Sequence, residues 1–279
     1  MAPLILTDRA VISVRGADAP AFLQSLLSAD CEALISGDAC PAALLTPQGK
    51  ILFDMIVFRD ESGFLVDCRS QFVDALAKRL SFYRLRSKVE ICLQESFQVV
   101  WLPPPVAPAG EFSDDPRSAE LGSRGLSNNC SGKDGSSAYH QLRVALGIAE
   151  AGLDYDPDAV FAHEANLDIL SGVSFSKGCF IGQEVVSRMH HRGTVRKRFL
   201  PCEVEGDIPQ TGTPVNVGER TIGTIGSSAG RQVLSLLRLD HLEAALSSKT
   251  PILAGGAILT PRIPDWLRGE IPNLLRQSA

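Results

Sequence analysis

Ser176-Lys-Gly-Cys-Phe-Ile-Gly-Gln-Glu-Val-Val-Ser-Arg-Met-His-His-Arg-Gly-Thr-Val-Arg-Lys-Arg198 is the most strongly marked stretch of this 279-residue chain. From Lys177 to Arg198 it holds six Lys/Arg (177, 188, 192, 196, 197, 198) against one acid, Glu184. Six minus one gives +5, on a chain whose net charge is −5, so the remainder carries −10. A basic cluster on an acidic body points to one anionic ligand or a small anionic partner patch. The plain alternative is a solvated charged strand after a helix. Gly178 and Gly182 bracket Cys179, and glycine lets backbone turn tightly or approach a ligand closely. Gly182 to Met189 is predicted to begin a helix, with Cys179 near its N-terminus. There the helix dipole and Lys177 would lower the thiol pKa and favour the thiolate. The competing expectation is a buried, inert cysteine. His190-His191 has no third ligand at a familiar spacing, so a surface helix end is expected there.

From Val204 onward short strands alternate with Gly-rich turns: Thr213 to Val217, Thr221 to Ile225, Val233 to Leu237 and Ala257 to Thr260. This predicts a small β-barrel or sandwich over 199–279. Upstream, residues 1–198 mix strands and helices, which makes the whole chain α+β. Ile5 to Val14 is predicted to be one strand. Asp18, close to Pro20, opens a helix with Phe22, Leu23, Leu26 and Leu27 on one face. Ala42 to Leu45 and Ile51 to Phe58 flank Thr46-Pro47-Gln48-Gly49 as a hairpin. Phe64 to Cys68, Val89 to Leu93 and Phe97 to Leu102 have strand character, and Phe72, Ala75, Leu76 and Leu80 mark another helix. Residues 103–138 hold five Pro, five Gly and seven Ser without apolar periodicity, which predicts a mobile loop or insertion.

Composition narrows the classes. With 44% apolar and 21% charged residues, disordered, collagenous and coiled-coil chains are excluded. Mild acidity argues against a nucleic-acid binder, which needs a basic face. Seven cysteines (31, 40, 68, 92, 130, 179, 202) include no Cys-x-x-Cys pair, so a zinc ribbon or a local cluster-ligand set is not expected. No apolar run reaches membrane-spanning length, so no membrane partner is expected. Met1 to Val14 lacks a basic segment followed by a long apolar one. Free thiols in a reducing cytoplasm are the resulting expectation. Gly226-Ser-Ser-Ala-Gly230 matches a nucleophile elbow, but Asp240-His241 follow too soon and side by side. Ser174-Phe-Ser-Lys177 lacks the companion motifs of its class, and there is no phosphate-binding glycine loop.

Lys177-Gly-Cys-Phe-Ile-Gly-Gln-Glu184, with Arg188 and Gly-x-x-Arg-Lys-Arg at 193–198, resembles the signature of the YgfZ family of folate-binding proteins. Glu164-Ala-Asn-Leu-Asp168, Gly172-Val-Ser-Phe175, Pro47-Gln-Gly-Lys50 with Asp54, and Tyr83-Arg-Leu-Arg-Ser-Lys-Val89 resemble its other motifs. Phe180 stands where that family more often has tyrosine, which keeps the ring and loses a hydroxyl. The family is similar to the T-protein of the glycine cleavage system, an aminomethyltransferase. The resemblance therefore implies a ring of domains around a central folate pocket, ending in a β-barrel. It also implies a role in making or repairing iron–sulfur clusters, with tetrahydrofolate as cofactor and iron–sulfur client or assembly proteins as partners.

Two departures favour the YgfZ branch. Phe53-Asp54 stands where the transferase commonly has an acidic pair, and Ala145 in Arg143-Val-Ala-Leu-Gly147 replaces a carboxylate that would bond the pterin. Losing that charged acceptor removes about 1.5–3 kcal/mol of contact. The resemblance makes Cys179, Lys177 and Asp54 the candidate reactive groups. Gly178, Gln183, Glu184, Arg188 and Arg196 are candidate folate contacts, with Arg192 and Arg198 beside them for an anionic glutamate tail. Tyr83, Trp101 and Phe180 are candidate stacking surfaces. Function is expected to be that of a tetrahydrofolate-binding accessory factor for iron–sulfur proteins. The alternative is a folate-dependent one-carbon transferase, and a third choice is a folate-free binding module.

Overall fold

The computed structural model describes residues 2–105, 112–193 and 195–269. Among the described residues, three β-structures pack with five α-helices. In chain order the elements begin with β1 (Leu4–Ile5), β2 (Arg9–Arg15), α1 (Ala19–Leu26), β3 (Ala39–Leu45), β4 (Ile51–Asp60), β5 (Gly63–Arg69) and α2 (Val73–Arg84). They continue with β6 (Glu90–Leu93), β7 (Gln98–Leu102), β8 (Ser113–Asp114), β9 (Ser123–Ser127), β10 (Lys133–Asp134), α3 (Ser136–Leu146) and α4 (Gln183–Arg192). The last part comprises β11 (Lys197–Glu205), β12 (Pro214–Val217), β13 (Arg220–Ala229), β14 (Gln232–Arg238), α5 (Leu239–Ser247), β15 (Ile252–Ala254) and β16 (Ala257–Pro261).

The first sheet has the order β3-β4-β5-β2-β6 and is antiparallel throughout. Strand side chains alternate between faces. Ile12, Val14, Phe64, Val66 and Cys68 thus meet α1 and α2 in one core, while Val11 and Leu65 face a second core built on Trp101 and Tyr139. This sheet is covered on both sides, and all seven residues of β5 are buried. The second sheet, β10-β1-β7-β9-β8, lies on that other side together with α3. The third unit is a closed barrel, β11-β14-β13-β12-β15-β16, with its own apolar filling. Residues 147–182 run as turns between the units, and their Tyr155, Val160 and Phe180 join Leu45 and Ile51 to Phe199 and Leu234 of the barrel.

The predicted hairpin is β3–β4, α1 and α2 lie where the apolar spacing puts them, and the four barrel segments fall in β12, β13, β14 and β16. Two expectations are corrected. The strand over Ile5 to Val14 is broken, because β1 joins the second sheet and β2 the first. Thr7 and Asp8 make the break: the Thr7 amide donates to Ser136 Oγ at 3.0 Å and the Asp8 carboxylate accepts from Arg69 at 2.8 Å. The stretch 103–138 is not a loop in its described residues. β9 pairs with β7 from Gln98↔Ser127 to Leu102↔Ser123, and Asp115, Ser123 and Arg124 are buried. Its polar composition misled because Asp115 and Arg124 are paired with charged groups inside the fold, Arg117 and Asp67 among them, rather than with water. Residues 106–111 of that predicted loop, Thr194 of the predicted 193–198 motif, and 270–279 of the predicted barrel domain lie outside the described residues.

Candidate functional site

The Cys179 loop is fixed at both ends. On one side, Lys177 is buried, and its Nζ donates to the carbonyls of Gln24 (2.7 Å), Leu27 (2.8 Å) and Ala29 (2.6 Å). These carbonyls belong to the last turn of α1 and the chain just beyond it, so the lysine acts as a cap on that helix. Burial pushes the pKa of this ammonium down, yet bonding three carbonyls takes all three of its protons. The ammonium also lies 5.1 Å from the Phe180 ring centre. On the other side, Gly182 at φ +82° starts α4. A Cβ there would come within 2.6 Å of the Thr46 carbonyl oxygen, so only glycine lets α4 seat on the β3–β4 turn. Between the anchors, Gly178 and Cys179 are exposed, and Cys179 is a free thiol just ahead of α4. Lys177 is therefore corrected from activator of the thiol to anchor of its loop. Gly178 meets nothing within 4 Å of an added Cβ, so packing does not require glycine there.

The basic residues divide. Arg188, Arg192 and Arg196 are exposed on and after α4, with Glu184 exposed and Gln183 half-buried in its first turn. Arg198 points inward and grips Asp168 with both nitrogens (2.9 and 2.8 Å), while also bonding Asn166 Oδ1 at 3.1 Å, so it is removed from the predicted anion-binding set. His190 is exposed at the end of α4 and stacks on Phe175 at 3.8 Å. Among the described residues, no group of three or more His, Cys, Asp or Glu is placed to hold a metal ion.

Asp54, Tyr83 and Trp101 lie on other elements, β4, α2 and β7. Asp54 is half-buried and lines a cavity between Arg9, Arg117 and Glu150. Its Oδ2 accepts from the Ala151 amide (3.0 Å) and the Tyr155 hydroxyl (3.1 Å), and its Oδ1 has no partner. Burial, reinforced by the nearby Glu150 charge, pushes the Asp54 carboxyl up. Trp101 is 2% exposed, donates from Nε1 to the Leu121 carbonyl at 2.6 Å and packs edge-on against Tyr139, so it is core rather than a stacking surface. Tyr83 is half-buried on α2 against the first core, and Phe180 is buried beneath Lys177. Charges fill the centre, and little in the sequence signals them. Arg9 bonds Asp67 at 2.6 Å, Arg124 bonds Asp67 at 2.8 Å, Arg117 bonds Asp115 at 2.8 Å and Glu150 at 2.9 Å, and Tyr139 donates to Glu150 at 2.9 Å. Burial alone would raise Glu150, but Arg9, Arg117 and Arg143 hold its carboxyl well below the usual range. The only hint was a charge inside an apolar strand, Asp67 in Leu65-Val66-Asp67-Cys68.

The cavity between Arg9, Asp54, Arg117 and Glu150 measures about 10 Å³. That is room for one water molecule. The residues present do not fit a pterin there, because Arg117 and Glu150 already fill the middle and satisfy each other.

Comparison with known proteins agrees with this architecture. Residues 196–269 match the family model for the CAF17 C-terminal beta-barrel domain. The aminomethyltransferase T of the glycine cleavage system from Bartonella henselae superposes with a TM-score of 0.72 at 17% identity, over 94% of this chain and 85% of that one. The shared fold is the aminomethyltransferase-like arrangement with a closed six-stranded barrel. The mouse iron-sulfur cluster assembly factor IBA57, mitochondrial, is 32% identical over 94% of this chain and 84% of its own length. The human protein of the same name is 32% identical over the same shares of both chains. The chain belongs to the IBA57 family of iron–sulfur cluster assembly factors. The family name that the comparisons give is IBA57 rather than YgfZ. The expected cytoplasmic location is corrected by these relatives, which are named as mitochondrial proteins.

Proposed function

We propose that this chain is an accessory factor in iron–sulfur cluster assembly and that Cys179 is the ligand it offers. The observation that carries this reading is an exposed, free thiol on a loop clamped by Lys177 and Gly182. A cluster is held by several thiolates, and one thiol cannot hold it alone. The cluster is cargo here, and its other ligands come from the partner protein. The missing three-ligand group among the described residues is consistent with that division. A thiolate-bound cluster is anionic, and the exposed Arg188, Arg192 and Arg196 put positive charge along the same segment. The relatives' printed role in iron–sulfur cluster assembly supports the same reading. The test is Cys179→Ala and Cys179→Ser in cells that lack the protein, with iron–sulfur enzyme activities as readout. Loss of activity with a normally folded variant is expected, and full rescue by Cys179→Ala rejects the reading.

A one-carbon transferase acting on tetrahydrofolate has the fold likeness in its favour and the filled centre against it. Tetrahydrofolate is expected to leave the unfolding temperature unchanged. A rise of several degrees that Asp54→Asn abolishes would restore the transferase.

A further inference from the structure

We propose that the C-terminal end of α2 and the turn after it form a docking tip for an anionic phospholipid surface. This proposal is independent of the role of Cys179. Residues 78–88 read Lys-Arg-Leu-Ser-Phe-Tyr-Arg-Leu-Arg-Ser-Lys, with five cations and no acid. The stretch is thus +5 on a chain of net −5, which leaves −10 elsewhere. Among the described residues, none of these five cations takes part in an ion pair.

The apolar residues of α2 separate into two sets. Val73, Leu76 and Leu80 are buried at helical spacing, and Ala77 and Tyr83 pack beside them against the first core. Phe82 and Leu85 lie off that stripe and are 72% and 88% exposed. On α2, Phe82 continues an outer row of exposed residues, Ala75, Lys78 and Arg79, at spacings of three and four, and Leu85 and Arg86 follow exposed in the turn. Leu85 also has φ +44° and ψ −107°, in the half of backbone space that favours glycine. A leucine held there carries strain, and its exposed side chain gains no internal packing in return. Strain that the fold does not use is a mark of an external role.

A lipid surface suits the tip better than a protein groove does. Two apolar side chains are interleaved with cations, as Phe82-Tyr83-Arg84-Leu85-Arg86. Such a row can sink its apolar groups below the phosphates while the cations meet them. A concavity beside it is an open hollow lined by Asp18, Leu85, Arg86 and Ser87. A lipid surface needs no shape complementarity. Outside this tip and the +5 segment at 177–198, a chain of net −5 carries −15, and that part is repelled by the same surface, so the acidic faces turn away from it. No described helix is long and apolar enough to cross a membrane, and contact of this kind is peripheral.

The test is co-sedimentation of the full chain with phosphatidylcholine vesicles, with and without phosphatidylglycerol, at moderate and high salt. The chain is expected to pellet with the anionic vesicles only, and to be released by salt. Phe82→Ser with Leu85→Ser should lower the bound fraction about tenfold, and Arg84→Glu with Arg86→Glu should abolish binding. Leu85→Gly relieves the backbone, so it should keep or raise the unfolding temperature while weakening vesicle binding, which separates docking from folding. A parent chain that stays in the supernatant, or variants that pellet equally, overturn the proposal. Retention on polyglutamate that depends on Leu85, without vesicle binding, would overturn it in favour of an acidic protein.

Discussion

The Cys179 loop and the centre of the molecule both concentrate polar groups, and they end in opposite conditions. At the centre, Arg9, Arg117 and Arg124 are matched by Asp67, Asp115 and Glu150, and the cavity that Arg9, Arg117 and Glu150 line is about 10 Å³. In the loop, the one charge that could have served the thiol, Lys177, is fully engaged with three carbonyls, and Cys179 stands free beside it. A buried group with all its bonds made contributes to shape. An exposed group held in place with no bond made is available for chemistry. The resemblance to an enzyme with a central pocket points to the centre, while the geometry points to the rim.

Four substitutions strain that contrast, and their expected effects fall in order of size. Glu150→Ala leaves the Arg9 and Arg117 guanidinium groups buried beside a lost partner, and should cost about 3–5 kcal/mol in denaturant unfolding. A near-neutral result would mean that the centre is hydrated and open, and the contrast would fail. Lys177→Met removes three charge-assisted bonds and strands the carbonyls that follow α1, so a loss of about 2 kcal/mol or more is expected. If stability is kept while iron–sulfur activity falls, the lysine serves the thiol after all.

Asp54→Asn should act in the other direction. The folded carboxyl binds its proton more tightly than the unfolded one, so its contribution to stability is greatest in acid and is lost as pH rises above the usual carboxylate range. Asparagine fixes the neutral form. The variant should gain about 2 °C in unfolding temperature near neutral pH and nothing in mild acid. A loss at neutral pH would show that the ionised carboxylate is needed where it lies. Cys179→Ala should change stability by less than about 0.5 kcal/mol, measured on the same variant that fails to support iron–sulfur enzymes.

Much of the fold was legible because burial imposes a period on sequence. Phe22, Leu23 and Leu26 announced α1, and the Thr46-Pro47-Gln48-Gly49 turn between two apolar runs announced β3–β4. The stretch 103–138 was illegible for the opposite reason. Asp115, Arg117 and Arg124 look like solvated residues until their partners, 33 positions away for Arg117–Glu150 and 57 for Arg124–Asp67, are brought to them. Lys177 misled in the same way. Sequence proximity to Cys179 suggested a pair, but its acceptors lie about 150 residues earlier.

The sequence by itself determined the periodic elements, the barrel texture of the C-terminal part and the glycine that starts α4, because each depends on neighbours along the chain. Only the tertiary structure decided that the centre is closed, that Lys177 is an anchor, and that Cys179 faces solvent. Those outcomes rest on which distant groups neutralise a buried charge, and no local pattern encodes that choice.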